Sequence, residues 1–229
     1  MDYGCEGSGG VEMMFVRKSM FTAFLIGVAA TGVGLGLKAA VGVGAWDAFS
    51  QAASSAAGIR VGTFSMMMNL SCVLVQLAIL RKEFKLISLL QIPMAILLGF
   101  FVNVVYYDIL SHVNIDSYLI NLLIYIGSLV VVIMAVALIM SISFLSFPLE
   151  AACMAVASKT KVRFGTVRQL VDVSAIFGAV LIAVLWQKPM TVREGTVIGM
   201  LLFGPSLAWL IPRVQPLVKK LGLTGEDVS

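Results

Sequence analysis

The chain has 229 residues, 60% hydrophobic and 12% charged, with a mean hydropathy of +1.02. A soluble domain is roughly 45–50% apolar and about 25% charged, so too few polar side chains remain here to cover a water-facing surface. The formal charge of +4 does not signal nucleic-acid binding, because the basic residues sit at the ends of apolar runs, where membrane anchors belong.

Those runs are long and continuous, without the alternation an outer-membrane barrel requires. They read as helices, which satisfy their own backbone groups in lipid. Residues 1–14 contain Gly-Ser-Gly-Gly and three acids and are expected to form a mobile tail. Six stretches then approach the length of about 20 residues that spans the hydrocarbon. They are Ser19–Leu37, Gly62–Leu80, Leu86–Tyr106, Tyr118–Ile142, Gly165–Trp186 and Gly195–Ile211. Arg17 and Lys18 ahead of the first stretch resemble a signal-peptide start, but the chain keeps returning to the membrane, so this stretch is read as a retained helix. Cys5, Cys72 and Cys153 show neither metal-ligand spacing nor a disulfide framework and are read as small hydrophobes.

With the N-terminus in the cytoplasm, twelve Lys and Arg fall inside and four outside, namely Lys38, Arg60, Lys188 and Arg193. This imbalance orients the chain with both termini cytoplasmic. Two connections are too apolar for exposed loops. Lys38 to Val61 and Ser143 to Phe164 each hold one acid, Asp47 or Glu150, ahead of a small-residue helical stretch.

Sliding the chain on itself by 103 residues brings these segments into register. Asp47 falls on Glu150, Ala48 on Ala151, Ala52 on Ala155, Ser55 on Ser158, Arg60 on Arg163, Gly62 on Gly165 and Thr63 on Thr166. Further along, Ser65 meets Arg168 and Asn69 meets Asp172, while a shift of 105 pairs Gly99 with Gly204. Both copies carry Arg-x-Gly-Thr at the start of the next span, where Thr63 and Thr166 are expected to cap the helix. Three spans per copy invert the second copy, the arrangement of many transporters. The expected fold is therefore an all-α membrane protein of about six spans. It comprises two inverted three-helix repeats, 15–110 and 117–212, each with a short re-entrant or interfacial helix, and a cytoplasmic tail at 213–229. Packing of helices through small residues would also produce repeated Gly and Ala.

Gly42-Val-Gly44-Ala-Trp46-Asp47, the Gly58-Ile-Arg-Val-Gly62-Thr63 that follows and Gly204-Pro205 resemble the YczE/YyaS/YitT group of bacterial integral membrane proteins. The resemblance covers most of 24–211 and implies a multi-pass protein of the bacterial plasma membrane, with no substrate attached. Ala45 stands where that group often has Pro. The second copy has Leu145 and Phe147 where the first has Gly42 and Gly44.

The candidate substrate- or ion-binding residues are Asp47, Glu150, Trp46, Asn69, Arg168 and Asp172. An ionisable residue at membrane depth normally faces a cavity or a partner. Asp47 and Glu150 suit a cation, an amine or a coupling proton, since a desolvated carboxylate holds its proton more tightly; the alternative is that each offsets a helix dipole. Arg168 and Asp172 lie four apart and can pair, unless Arg168 extends to the headgroups. Trp46 either lines the site or belongs to the interfacial belt. The remaining amides are read as interhelical hydrogen-bonding groups, and the Gly-x-Gly series lacks the strand a nucleotide cradle needs. With one His in the chain, no catalytic triad or zinc set is in view. No enzyme activity, metal or cofactor is expected. Fitting partners are membrane lipids, an unidentified small molecule or ion, and a second copy of the chain, with no nucleic acid. The expected function is a small permease or channel with a midplane site between the repeats; the other reading is a non-transporting accessory or regulatory membrane protein.

Overall fold

The computed structural model describes residues 7–113, 115–142 and 146–223. Among them lie eight α-helices: α1 (Gly7–Ala39), α2 (Ala45–Ala57), α3 (Val61–Leu80), α4 (Gln91–Asn103), α5 (Tyr118–Ser141), α6 (Pro148–Thr160), α7 (Phe164–Leu185) and α8 (Glu194–Lys220). Six helical segments are long and apolar enough to cross a membrane: Val16–Ala39, Val61–Glu83, Leu86–Ile109, Tyr118–Ser141, Phe164–Leu185 and Glu194–Lys220. The protein thus has the architecture of a polytopic all-α membrane protein.

Element ends depart from expectation in three places. The first helix starts at Gly7, so it takes in residues 7–14 of the expected tail, whose first six residues lie outside the described ones. The third span opens with a 3₁₀ turn at Leu86–Leu90 and closes with a π-helical stretch at Val104–Ile109. The last helix continues through Pro212 and Pro216 to Lys220, because a helix edge exposed to water or a neighbour tolerates the missing N–H of proline. The expected threonine caps are also absent. Arg60 and Arg163 occupy the N-cap positions without a side-chain cap bond, and Thr63 Oγ1 instead accepts from Asn103 Nδ2 at 3.0 Å.

α1 packs along α5, flanked by α4 on one side and α8 on the other. Leu25, Ile26, Ala29, Ile133, Ala137, Ile139 and Leu207 meet in this seam. Small residues permit the close approach. A Cβ on Gly32 would run into Val132, and one on Gly34 into Val105. The short helices cross over: α2 packs on α7, and α6 packs on α3.

Both short helices have 13 residues, about 20 Å of axial rise and too little to cross the hydrocarbon. They end alike, in left-handed C-caps at Gly58 and Lys161. The chain reaches α2 through an extended stretch, 40–44, whose backbone polar groups are paired with the start of α8. Val41 O accepts from Gly195 N–H at 3.2 Å, Val43 N–H donates to Thr196 Oγ1 at 3.3 Å, and the Arg193 guanidinium donates to Ala40 O. Gly42, at φ +151°, lies against the Gly195–Thr196 backbone, leaving no space for a side chain. At the start of α6, Pro148 O accepts from Gln76 Nε2 at 3.1 Å, and the same nitrogen donates to Gln91 Oε1 at 2.9 Å. These amides tie α3, α4 and the start of α6 together.

Polar contacts sort the connections into two faces. Lys159 Nζ meets Glu83 Oε1 at 2.6 Å on one face; Lys38 Nζ donates to Ser111 O at 3.4 Å on the other. Accordingly, cysteines placed at Lys85 and at His112 should react with a membrane-impermeant maleimide from opposite sides of sealed vesicles. Labelling of both from one side contradicts the six-span path. Gly42→Ala should cost about 1–3 kcal/mol from backbone strain alone, read as a lowered Tm in detergent, and Gly58→Ala less, since open space surrounds its Cβ position.

Candidate functional site

The two short helices begin inside the bundle and point their N-termini at a common cavity of about 110 Å³. Asp47 occupies the first turn of α2 and Glu150 the first turn of α6, where a carboxylate is favoured by the helix dipole. Both residues also line the cavity. Trp46 lies beside Asp47, Ser65 and Asn69 enter from α3, and Arg168 and Asp172 enter from α7. The structure therefore brings all six candidate residues to one place.

The lining is paired. Ala29 and Val132, Val33 and Val136, Gly44 and Phe147, Trp46 and Leu149, Asp47 and Glu150, Ser65 and Arg168, and Asn69 and Asp172 are each 103 apart and all border the cavity. Leu98 and Phe203 are 105 apart. Chemically the pairs have diverged: polar but uncharged Ser65 and Asn69 face the ionic Arg168 and Asp172.

Arg168 is the electrostatic centre. Its guanidinium is hydrogen-bonded to Asp172 Oδ1 within the same helix, and Nε lies 3.6 Å from Glu150 Oε1. The side chain is only 11% exposed, which excludes the extension to headgroups considered from sequence. Two carboxylates thus hold one cation inside the protein. Asp47 takes part in no ion pair or side-chain hydrogen bond among the described residues and adds a third carboxyl group. Trp46 lines the cavity, and its Nε1 is buried without an acceptor among the described residues. Asn69 Nδ2 donates to Ser65 O at 3.0 Å, which leaves its carbonyl oxygen available to a ligand.

Tyr125 and Phe203 went unnoticed in the sequence, and Phe147 stood out there only as the counterpart of Gly44. Phe147 and Phe203 supply aromatic wall. Tyr125, 2% exposed, donates its hydroxyl to Gly195 O at 2.5 Å and presses on Gly199, fixing the start of α8. Its only signal was a phenol in the most apolar span. No group of three or more His, Cys, Asp or Glu among the described residues is placed to hold a metal ion.

A family model covers residues 16–212, every element that forms the cavity. The chain belongs to the family of unknown function DUF6198. No curated protein and no solved structure matches it. The DUF6198 match thus spans the site without assigning it a chemistry. Removing Arg168 strands two buried carboxylates, a loss on the order of 3–5 kcal/mol. Arg168→Gln should therefore lower Tm sharply in detergent, and Asp172→Asn added to it should restore part of the loss. A double variant no more stable than Arg168→Gln would show that the Arg168–Asp172 pair contributes little.

Proposed function

We propose that this protein is a small permease for a cationic solute, with its site at the cavity between two inverted repeats. The observation that carries the reading is the imbalance of charge in that cavity: Asp47, Glu150 and Asp172 against Arg168 alone. A cation entering beside Asp47 meets an unpaired carboxyl group, aromatic walls and the free carbonyl of Asn69. The volume holds several waters or one small organic cation. A carboxyl group in such surroundings also exchanges protons readily, so Asp47 is the residue to which coupling to a proton is assigned.

The paired lining and the crossed packing of α2 on α7 and α6 on α3 support a pseudo-two-fold axis in the membrane plane, as in transporters whose broken helices meet at midplane. The charge distribution supports a plasma-membrane orientation with both termini cytoplasmic, and the motif around Trp46-Asp47 supports kinship with the bacterial YczE/YyaS/YitT group. The accessory-protein reading calls for a packed core without a cavity, and the cavity weighs against it.

Proteoliposomes should accumulate one of a panel of radiolabelled small cations beginning with methylammonium and guanidinium. Asp47→Asn should abolish that uptake, or uncouple it from a pH gradient, while membrane expression is retained. Equal uptake by the Asn variant removes Asp47 from the mechanism. Wild-type vesicles that transport no member of the panel overturn the cationic-permease reading.

A further inference from the structure

The glycines that the repeat equates are in different states. Gly62 of α3 and Gly99 of α4 touch backbone to backbone, and a Cβ on either would strike the other's carbonyl oxygen. A polar latch surrounds the contact. Gly62 N–H donates to Asn103 Oδ1 at 2.9 Å, Val61 N–H donates to Tyr107 Oη at 3.2 Å, and the Arg60 guanidinium sits 5.3 Å from the centre of the Tyr107 ring. The counterparts Gly165 and Gly204 have nothing within 4 Å of the position a Cβ would take, and α7 meets α8 far more sparsely than α3 meets α4.

The sequence explains why the second seam is not latched. At the shift of 105, Ala208 stands for Asn103 and Pro212 for Tyr107. Pro205, next to Gly204 and inside α8, removes a helix hydrogen bond and gives α8 a bending point at the level of the open seam. The cavity adjoins that seam, since Phe203 precedes Gly204 and Arg168 is one turn beyond Gly165; the Arg168 guanidinium lies 5.6 Å from the centre of the Phe203 ring. The two seams also lie towards opposite faces. Arg60 and Tyr107 belong to the face of Lys38 and Ser111, whereas α7 begins beside the Lys159–Glu83 pair.

Resting on the permease reading, we infer that the protein is a carrier that exposes its site alternately, not a channel, and that this structure is one end state. In it the α3–α4 seam is shut at Gly62–Gly99 and the α7–α8 seam is parted on the Lys-rich face. In the other end state Gly165 meets Gly204 through bending at Pro205, while α3 and α4 separate. Exchange of conformation between two inverted halves converts an opening on one side into an opening on the other. The latch biases the resting protein towards the state described, because it has no equivalent to hold the alternative.

Glycine is needed at a helix crossing only if the helices touch there, so Gly165 and Gly204 mark a contact made in the other state. The test uses wild-type and Gly165→Leu/Gly204→Leu protein, both with Cys5→Ser. In nanodiscs, spin labels at Val162 and Ala208 should report two distances across the second seam. Labels at Ile59 and Asp108 should report two across the first, with populations that change in opposite directions. A Cβ at either position meets open space, so Tm should be unchanged. It should erase the shorter Val162–Ala208 distance and reduce uptake of the cation identified above at least tenfold. Wild-type uptake that survives the leucine pair, or a single distance at both seams, overturns the carrier and leaves a channel-like permease. Absence of uptake by the wild type overturns the permease reading and this inference with it.

Discussion

Extended backbone buried inside a protein must find its hydrogen-bond partners there, because no solvent reaches it. Residues 40–44 meet that demand by lying along the start of α8, with Thr196 and Gly195 as partners. Much else depends on this pairing. It sets where α2 begins, and so places Trp46 and Asp47 on the cavity. It requires Gly42, because only a glycine both adopts that backbone angle and leaves room for Thr196. It also fixes the start of α8, which Tyr125 secures from the other side. At the start of α6, Gln76 and Gln91 from the first half perform a similar duty for Pro148, with side-chain amides in place of a backbone zipper.

Charge in the bundle follows the same logic of compensation. Arg168 is tolerable because Asp172 and Glu150 face it, and those acids are tolerable because Arg168 is there. Asp47 stands outside that arrangement, at a helix N-terminus that favours its anion and beside the cavity. The first half offers Ser65 and Asn69 where the second offers Arg168 and Asp172. Positions 103 residues apart on the cavity wall thus differ in chemistry.

The spans were legible from hydropathy because their length is dictated by the bilayer, and the six segments lie where the apolar runs lie. The gathering of Asp47, Glu150, Asn69, Arg168 and Asp172 was legible because acids and amides at membrane depth have few places to go, and their 103-residue spacing linked the halves. The helix ends were less so. Thr63 was free to cap α3 by its sequence position, yet Asn103, forty residues away, captures its hydroxyl. Tyr125 could not be distinguished from belt aromatics without knowing which face of α5 meets α1. Nothing local to Gly62 and Gly165 tells that one is enclosed and the other open; that difference lies in Asn103 and Tyr107, on another helix.

The crossed packing of the short helices has a consequence for biogenesis. α2 rests on α7, which the ribosome produces more than a hundred residues later, and α6 completes itself against α3 from the earlier half. A chain emerging into the membrane therefore holds Asp47 in a half-helix that lacks its seat until most of the protein has been synthesised. The site therefore cannot be complete before α7 and α8 are made, and a chain truncated before α7 lacks the helix on which α2 rests.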